Sequence, residues 1–112
     1  MIYELKKYTP YPGKGPALKA RFEAVTLPIF ERVGIKVLYC FEDTSDPDGL
    51  LYLTAFHDEA ERDAAWKAFG ADTGWKEAKA ASEVDGPLLM TQVSSDLVPT
   101  SFSPSETSLA KR

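Results

Sequence analysis

Two neighbouring segments, IKVLYCFE (35–42) and LLYLTAF (50–56), are apolar on both faces of the strands that they predict. Because side chains alternate along a strand, each segment supplies two apolar sets. In the first segment one face has Ile35, Val37, Tyr39 and Phe41, and the other has Leu38 and Cys40. In the second segment one face has Leu50, Tyr52 and Phe56, and the other has Leu51, Leu53 and Ala55. Helices cover only one face of such a sheet, and soluble monomers avoid large exposed apolar patches. The pattern therefore predicts a homodimer that forms through the sheet face away from the helices.

The polar stretch DTSDPDG (43–49) between these segments predicts the turn of a hairpin. Upstream, IYELKKYT (2–9) predicts a strand, and an apolar stripe at helical spacing predicts a helix. The stripe consists of Leu18, Phe22, Val25, Ile29 and Val33. We expect Gly34 to end this helix and Pro28 to kink it or split it in two.

Capping residues after the hairpin indicate two consecutive helices. Asp58, with Glu61 in the capping-box position, predicts the start of the first, and Asp72 predicts the start of the second after a break at Gly70. LLMTQV (88–93) then predicts a last strand. The order β-α-β-β-α-β is typical of the ferredoxin-like α+β fold, with a four-stranded antiparallel sheet.

The chain has 112 residues, which is the size of one domain. We assign residues 1–98 to the ferredoxin-like domain. The segment 99–112 is rich in Ser, Thr and Pro, a composition typical of an extended or partly disordered tail.

The charge and cysteine content limit the classes of partner. A formal net charge of -4 argues against nucleic-acid binding, because neutralising phosphates requires a basic surface. No apolar run approaches the length of a membrane span, so we expect no membrane partner. The single cysteine, Cys40, cannot form an internal disulfide, which favours a reduced, cytoplasmic protein.

The segment AWKAFGADTGWK (65–76) contains both tryptophans of the chain, Trp66 and Trp75, on either side of a glycine break. They could stack on a flat ligand or anchor two helices to the core. Trp66 shares a helix face with Ala65 and Phe69, and Trp75 shares one with Ala78. This spacing favours core anchors.

Four pieces of the sequence, in order, resemble the NIPSNAP family of the dimeric α+β barrel superfamily. They are IYELKKYTPYPGK, through Tyr3, Glu4, Leu5, Tyr8, Pro12 and Gly13; the helix break at Leu27 and Pro28; AERDAAWKAFGADTGW; and the closing PTSFSP (99–104). The resemblance spans about residues 2–104. It implies a dimer of ferredoxin-like subunits and no particular reaction.

The chain departs from the family pattern at three positions. Lys6 stands where arginine is usual, Tyr52 where many members have histidine, and Thr54 where many have tryptophan. The superfamily also contains haem-degrading monooxygenases that share a set of Asn, Trp and His residues. This chain has no asparagine, so only Trp66 resembles that set, and the resemblance implies no haem site.

Two groups of side chains are candidate ligand-binding sites. The first is a cavity mouth formed by His57, Tyr52 and Trp66, because His57 is the only side chain whose ordinary pKa lies near neutrality. His57 could act as a general base beside Asp58, although a partly exposed turn histidine is the simpler interpretation. The second is Glu4, Lys6 and Tyr8, which alternation places on one face of the first strand. That row could line a cavity, pair across a dimer or form an ion pair at a sheet edge.

The sequence predicts no metal and no cofactor. EDTSDPDG (42–49) fails the calcium-loop pattern because Ala55 occupies the place of the bidentate glutamate, and GKG (13–15) lacks the spacing of a phosphate loop. Two functions stay open. One is a homodimeric module that binds a small hydrophobic molecule or a partner protein. The other is a cofactor-independent enzyme, of monooxygenase or isomerase type, that acts on a hydrophobic or aromatic metabolite.

Overall fold

The structure, a computed structural model, describes residues 1–104. Its elements are β1 (Ile2–Pro10), α1 (Gly15–Arg21), α2 (Leu27–Val33), β2 (Lys36–Asp43), β3 (Asp46–Phe56), α3 (Glu59–Ala71), α4 (Thr73–Ser82) and β4 (Leu89–Leu97). The strands lie in the order β2-β3-β1-β4, and each neighbouring pair is antiparallel. The predicted ferredoxin-like α+β fold is confirmed. None of the helices in residues 1–104 is long and apolar enough to cross a membrane.

The first helical region is split next to Pro28, as the sequence predicts. A single π-helical turn, Phe22–Thr26, joins α1 to α2, and the Leu27 amide donates to the Phe22 carbonyl across it. Pro28 lies in the first turn of α2, where a missing N–H is tolerated. Gly34 ends α2 with φ of 91°, a left-handed conformation that favours glycine.

Aspartates cap the other two helices. The Asp58 carboxylate accepts a 2.8 Å hydrogen bond from the Glu61 amide at the start of α3. Asp72 accepts one of 2.8 Å from the Trp75 amide at the start of α4. Both predicted caps are present, but α3 continues past the expected break at Gly70 and ends at Ala71.

A β-bulge changes which side chains of β2 share a face. Val37 pairs with Thr54 and Tyr39 with Leu53, so two steps along β2 match one along β3. Leu38 is the extra residue, and it places Val37 and Tyr39 on opposite faces of the sheet. The strict alternation predicted for β2 is therefore wrong beyond Val37. In β3 the expected alternation holds, because Tyr52 and Phe56 are buried under the helices and Leu51 and Leu53 are not.

The face of the sheet away from the helices is mainly apolar, although Lys7 and Ser95 also lie on it, and we call it the outer sheet face. The register places there Tyr3, Leu5, Tyr39, Phe41, Leu51, Leu53, Val93 and Leu97. Tyr39 is 58% exposed and Val93 is 59% exposed. The rings of Tyr39 and Phe41 stack with centroids 5.6 Å apart.

Two strands are longer than their apolar patterns indicate. β3 begins at Asp46, so the hairpin turn consists only of Thr44 and Ser45. β4 continues to Leu97, because its polar residues still pair with β1, as Ser94 does with Lys6. Beyond β4, the Ser103 amide donates to the Thr100 carbonyl in a turn. The rest of the predicted tail, 105–112, lies outside the described residues.

Candidate functional site

A cavity of about 370 Å³ lies between the sheet and the helices, over β1 and β4. Five aromatic side chains line it, namely Tyr8, Phe22, Trp66, Phe69 and Trp75. Its polar lining consists mainly of Lys6, Arg21, Lys79, Glu83 and Gln92. The volume is in the range of pockets that hold small organic molecules.

The sheet wall of the cavity comes from alternate residues of β1. Glu4, Lys6 and Tyr8 lie on the face towards the helices, because they pair with Thr54, Tyr52 and Leu50 of β3, whose side chains are buried there. The predicted row is therefore a single surface beneath the helices. Lys6 and Tyr8 line the cavity directly, and Glu4 lies beside them with 6% exposure.

Glu4 connects Lys6 to Trp66. Its Oε1 accepts a 2.5 Å hydrogen bond from the Trp66 indole N–H, and its Oε2 lies 3.8 Å from Lys6 Nζ. Lys6 Nζ also donates to Ser94 Oγ at 2.7 Å and lies 4.4 Å from the centre of the Trp66 ring. The ammonium group thus has a carboxylate, a hydroxyl and an aromatic face around it. Lys6 makes these three contacts separately, whereas an arginine could form a bidentate contact with the carboxylate.

Tyr8 and Tyr52 form a buried hydroxyl pair next to the cavity. Their oxygens are 2.6 Å apart, and their rings meet edge to face at 5.2 Å. Burial raises the pKa of Tyr8 and raises that of Tyr52 strongly, because the tyrosinate would lose its solvation. Both hydroxyls therefore stay protonated at neutral pH and act as hydrogen-bonding groups.

Arg21 forms the opposite polar wall with α4 and the residue after it. Its Nη1 donates to Ser82 Oγ at 3.0 Å and to Glu83 Oε2 at 2.9 Å. The guanidinium carbon lies 5.0 Å from the centre of the Trp75 ring. Arg21 is only 9% exposed, so this charge is held inside the molecule beside the cavity.

Both tryptophans are core residues and cavity walls at once. Trp66 packs edge to face on Phe30 at 5.4 Å, and Trp75 lies against Phe69 at 4.8 Å. Each is only partly buried, and each lines the cavity. The core-anchor interpretation is therefore incomplete, since part of each side chain also lines the cavity.

The structure does not bring His57 to this site. His57 is exposed in the turn between β3 and α3, and it does not line the cavity. Its amide donates to Glu61 Oε2 at 2.7 Å, while the neighbouring Asp58 carboxylate caps α3. The predicted mouth of His57, Tyr52 and Trp66 is therefore not formed, because Tyr52 is fully buried below the cavity wall and His57 faces solvent at a sheet end.

Arg21 is the main site residue that the sequence interpretation missed. It follows Leu18 by three residues and precedes Val25 by four, so it lies on the apolar side of the first helix. A charged residue on an apolar stripe is a signal for a buried ion pair or a binding site. Glu83, its partner, lies outside any periodic pattern, directly after α4.

The fold and the cavity define the class: a ferredoxin-like α+β domain with a small-molecule-sized space between sheet and helices. The NIPSNAP family model matches residues 3–104, and the chain belongs to this family. None of the curated proteins matches the chain.

Solved structures share this fold. An uncharacterized NIPSNAP domain protein from Burkholderia xenovorans superposes with a TM-score of 0.79 at 24% identity, over 94% of this chain and 100% of that one. A NIPSNAP family protein from Agrobacterium tumefaciens gives 0.79 at 18% identity, over 92% and 96%. A putative antibiotic biosynthesis monooxygenase from Bacteroides thetaiotaomicron gives 0.62 at 21% identity, over 88% of each chain.

Proposed function

We propose that this protein is a homodimeric binding module that holds a small, flat, largely apolar molecule between the sheet and the helices. The observation that carries the proposal is the cavity of about 370 Å³, with Trp66 and Trp75 in its walls. Indole rings offer broad apolar contact at low conformational cost, and pockets of this size with a few fixed polar groups are typical ligand sites. The compartment that we propose is the reducing cytoplasm, which the lone Cys40 favours.

The polar lining favours binding over acid–base catalysis. The chain's one histidine lies outside the cavity, and burial raises the pKa of Tyr8 away from neutrality. A general base works best with a pKa near the operating pH. Tyr8 instead has the properties of a neutral hydrogen-bonding group that orients a ligand.

A cofactor-independent enzyme of monooxygenase or isomerase type is the second candidate. Its support is the fold that the chain shares with the putative antibiotic biosynthesis monooxygenase. The two candidates differ in the fate of the bound molecule. A binding module returns its ligand unchanged after aerobic incubation, whereas an enzyme changes the ligand's mass or isomeric form.

The homodimer that we propose forms through the outer sheet face. Its support is the set of half-exposed apolar side chains there, including Tyr39, Phe41 and Val93. A surface of this kind is rarely left in contact with water, and a second copy offers a matching apolar surface by two-fold symmetry. The cavity lies on the other side of the sheet, so a dimer of this kind leaves it free for a ligand.

Native mass spectrometry of the protein purified from cell extract tests the proposed function. We expect a fraction of the protein to carry a molecule of a few hundred daltons. Gln92→Trp should abolish this adduct because Gln92 lines the cavity, whereas Lys67→Trp should retain it because Lys67 is exposed on α3. No adduct on the parent protein, and no binding of added aromatic compounds, would contradict the proposal.

A further inference from the structure

We propose that the ligand is an aromatic monocarboxylate whose carboxylate is held by Arg21 and Tyr8 and whose ring lies between Trp66 and Trp75. This inference rests on the proposed function and specifies the chemical class of the ligand. Three features of the cavity support it: the unused donors of Arg21, the direction of the tyrosine hydrogen bond, and the balance of charge.

Arg21 has donors that the protein does not use. A guanidinium group has five N–H donors on three nitrogens. Within residues 1–104, its hydrogen bonds to Ser82 and Glu83 both start from Nη1, which leaves Nε and Nη2 without an acceptor. Because Arg21 is 9% exposed and lines the cavity, a bound molecule is the acceptor that can reach these donors. Two adjacent guanidinium nitrogens match the paired oxygens of a carboxylate.

The direction of the tyrosine hydrogen bond leaves a second donor. The Tyr52 side chain is fully buried, and the Tyr8 hydroxyl is its one hydrogen-bond partner in residues 1–104. If the Tyr8 hydroxyl donated to Tyr52, the proton of the Tyr52 hydroxyl would be buried without an acceptor, which is unfavourable. Tyr52 therefore donates to Tyr8, and the proton of Tyr8 is free for a group in the cavity that Tyr8 lines.

Arg21 and Tyr8 act on the same region of the cavity. Both side chains line the same cavity, Tyr8 from β1 and Arg21 from α1. Two converging sets of N–H and O–H donors form a site for an anion rather than for a cation or an amine. A neutral carbonyl can also accept two hydrogen bonds, but a carboxylate adds a negative charge that strengthens them and a second oxygen for a bidentate contact with the guanidinium.

The charges around the cavity match a ligand with one negative charge. Three cations line it, Lys6, Arg21 and Lys79. Two carboxylates oppose them, Glu4 beside Lys6 and Glu83 beside Arg21. One positive charge is in excess, which a monocarboxylate neutralises. The aromatic side chains that line the cavity favour a flat aromatic ring for the rest of the ligand, since aromatic rings pack on one another offset or edge to face.

Paired probes that differ only in charge test the inference. Calorimetry of the whole protein would compare 2-naphthoate with 2-naphthamide, and indole-3-acetate with indole-3-acetamide. We expect each acid to bind at least about tenfold more tightly than its amide, because hydrogen bonds to a charged group are the stronger ones. Arg21→Gln should remove most of this preference. Arg32→Gln is the matched control and should keep it, because Arg32 is an exposed arginine paired with Asp72 outside the cavity.

Tyr8→Phe provides a second test that leaves the Arg21–Glu83 ion pair intact. It removes one hydroxyl, which also leaves Tyr52 without its acceptor, and we expect the affinity of the folded variant for 2-naphthoate to fall about tenfold. This result is decisive if Arg21→Gln does not fold. Equal affinities for acids and amides on the parent protein would overturn the inference and leave the proposed function standing. Failure of all four probes to bind, with no adduct on the purified protein, would overturn the proposed function and the inference together.

Discussion

The hydroxyl oxygens of Tyr8 and Tyr52 lie 2.6 Å apart and join β1 to β3 beneath the cavity. Tyr52 has no exposed surface, and Tyr8 lines the cavity, so the pair connects the core to the ligand space. Burial raises the pKa of both phenols. The same pair therefore affects how stability depends on pH and, through Tyr8, forms part of the cavity wall.

We predict that the free energy of unfolding decreases steeply above pH 10 because of this pair. The unfolded chain releases tyrosine protons with a pKa of about 10, whereas the folded state retains both. Their contribution to stability is complete below about pH 10 and is lost as the pH rises further, at up to about 1.4 kcal/mol per pH unit for each tyrosine that stays protonated in the folded state. Urea unfolding between pH 8.5 and 11 measures this slope. Tyr52→Phe should make it shallower, and an unchanged slope would show that Tyr52 ionises normally in the folded state.

Glu4 should contribute to stability as the acceptor for Trp66. Glu4→Ala leaves the partly buried indole N–H of Trp66 without its partner, which we expect to cost about 1–3 kcal/mol. Glu4→Gln keeps an acceptor oxygen and should cost less, although Lys6 then loses its carboxylate. Chemical denaturation compares the two, with Glu59→Ala on exposed α3 surface as a control expected within about 0.5 kcal/mol of the parent protein. Equal losses for Ala and Gln would mean that the hydrogen bond is not the stabilising element.

The two tryptophans should differ in their contribution to stability. Trp66 contacts Phe30, Phe56 and Phe69, whereas among aromatic residues Trp75 contacts only Phe69 within the described chain. We expect Trp66→Ala to cost about 3 kcal/mol or more, and Trp75→Ala to cost less. Thermal unfolding of the two variants measures the order. A larger loss for Trp75 would show that its side of the cavity is the more tightly packed one.

The outer sheet face should determine the oligomeric state. Light scattering at micromolar concentration should give twice the 12.4 kDa mass of one chain for the parent protein. Tyr39→Glu combined with Phe41→Glu should give a monomer, because four charged carboxylates cannot be buried together across a two-fold interface. Val84→Glu is the control, since Val84 is 78% exposed and lies after α4, away from the sheet. A monomeric parent protein would contradict the proposed dimer.

Local signals in the sequence predicted most of the fold. Asp58 and Asp72 begin helices because their own carboxylates cap them, and Gly34 ends a helix because of its backbone conformation. Each of these boundaries can be predicted without knowledge of distant residues. The bulge at Leu38 is different, because it depends on how β2 pairs with β3. The end of β4 also depends on pairing, because its last residues are polar and show no apolar pattern, yet they still pair with β1.

The site was less predictable because its residues come from distant parts of the chain. Arg21 and Glu83 are 62 positions apart, as are Glu4 and Trp66. Alternation correctly placed Glu4, Lys6 and Tyr8 on one face, but nothing local indicates that Arg21 faces them. His57 was selected for its chemistry alone, and the chemistry of a side chain does not determine whether the fold exposes it.

The most direct test of ligand binding in this cavity follows the two indole N–H signals by nuclear magnetic resonance during a titration with 2-naphthoate. The chain contains only Trp66 and Trp75, so each signal reports on one wall of the cavity. We predict that both signals shift and that the shifts saturate together with one affinity, because the aromatic ring lies between the two indoles. If neither indole signal moves with 2-naphthoate, nor with the other three probes, at concentrations up to their solubility limits, the account of an aromatic-binding site between the sheet and the helices is wrong.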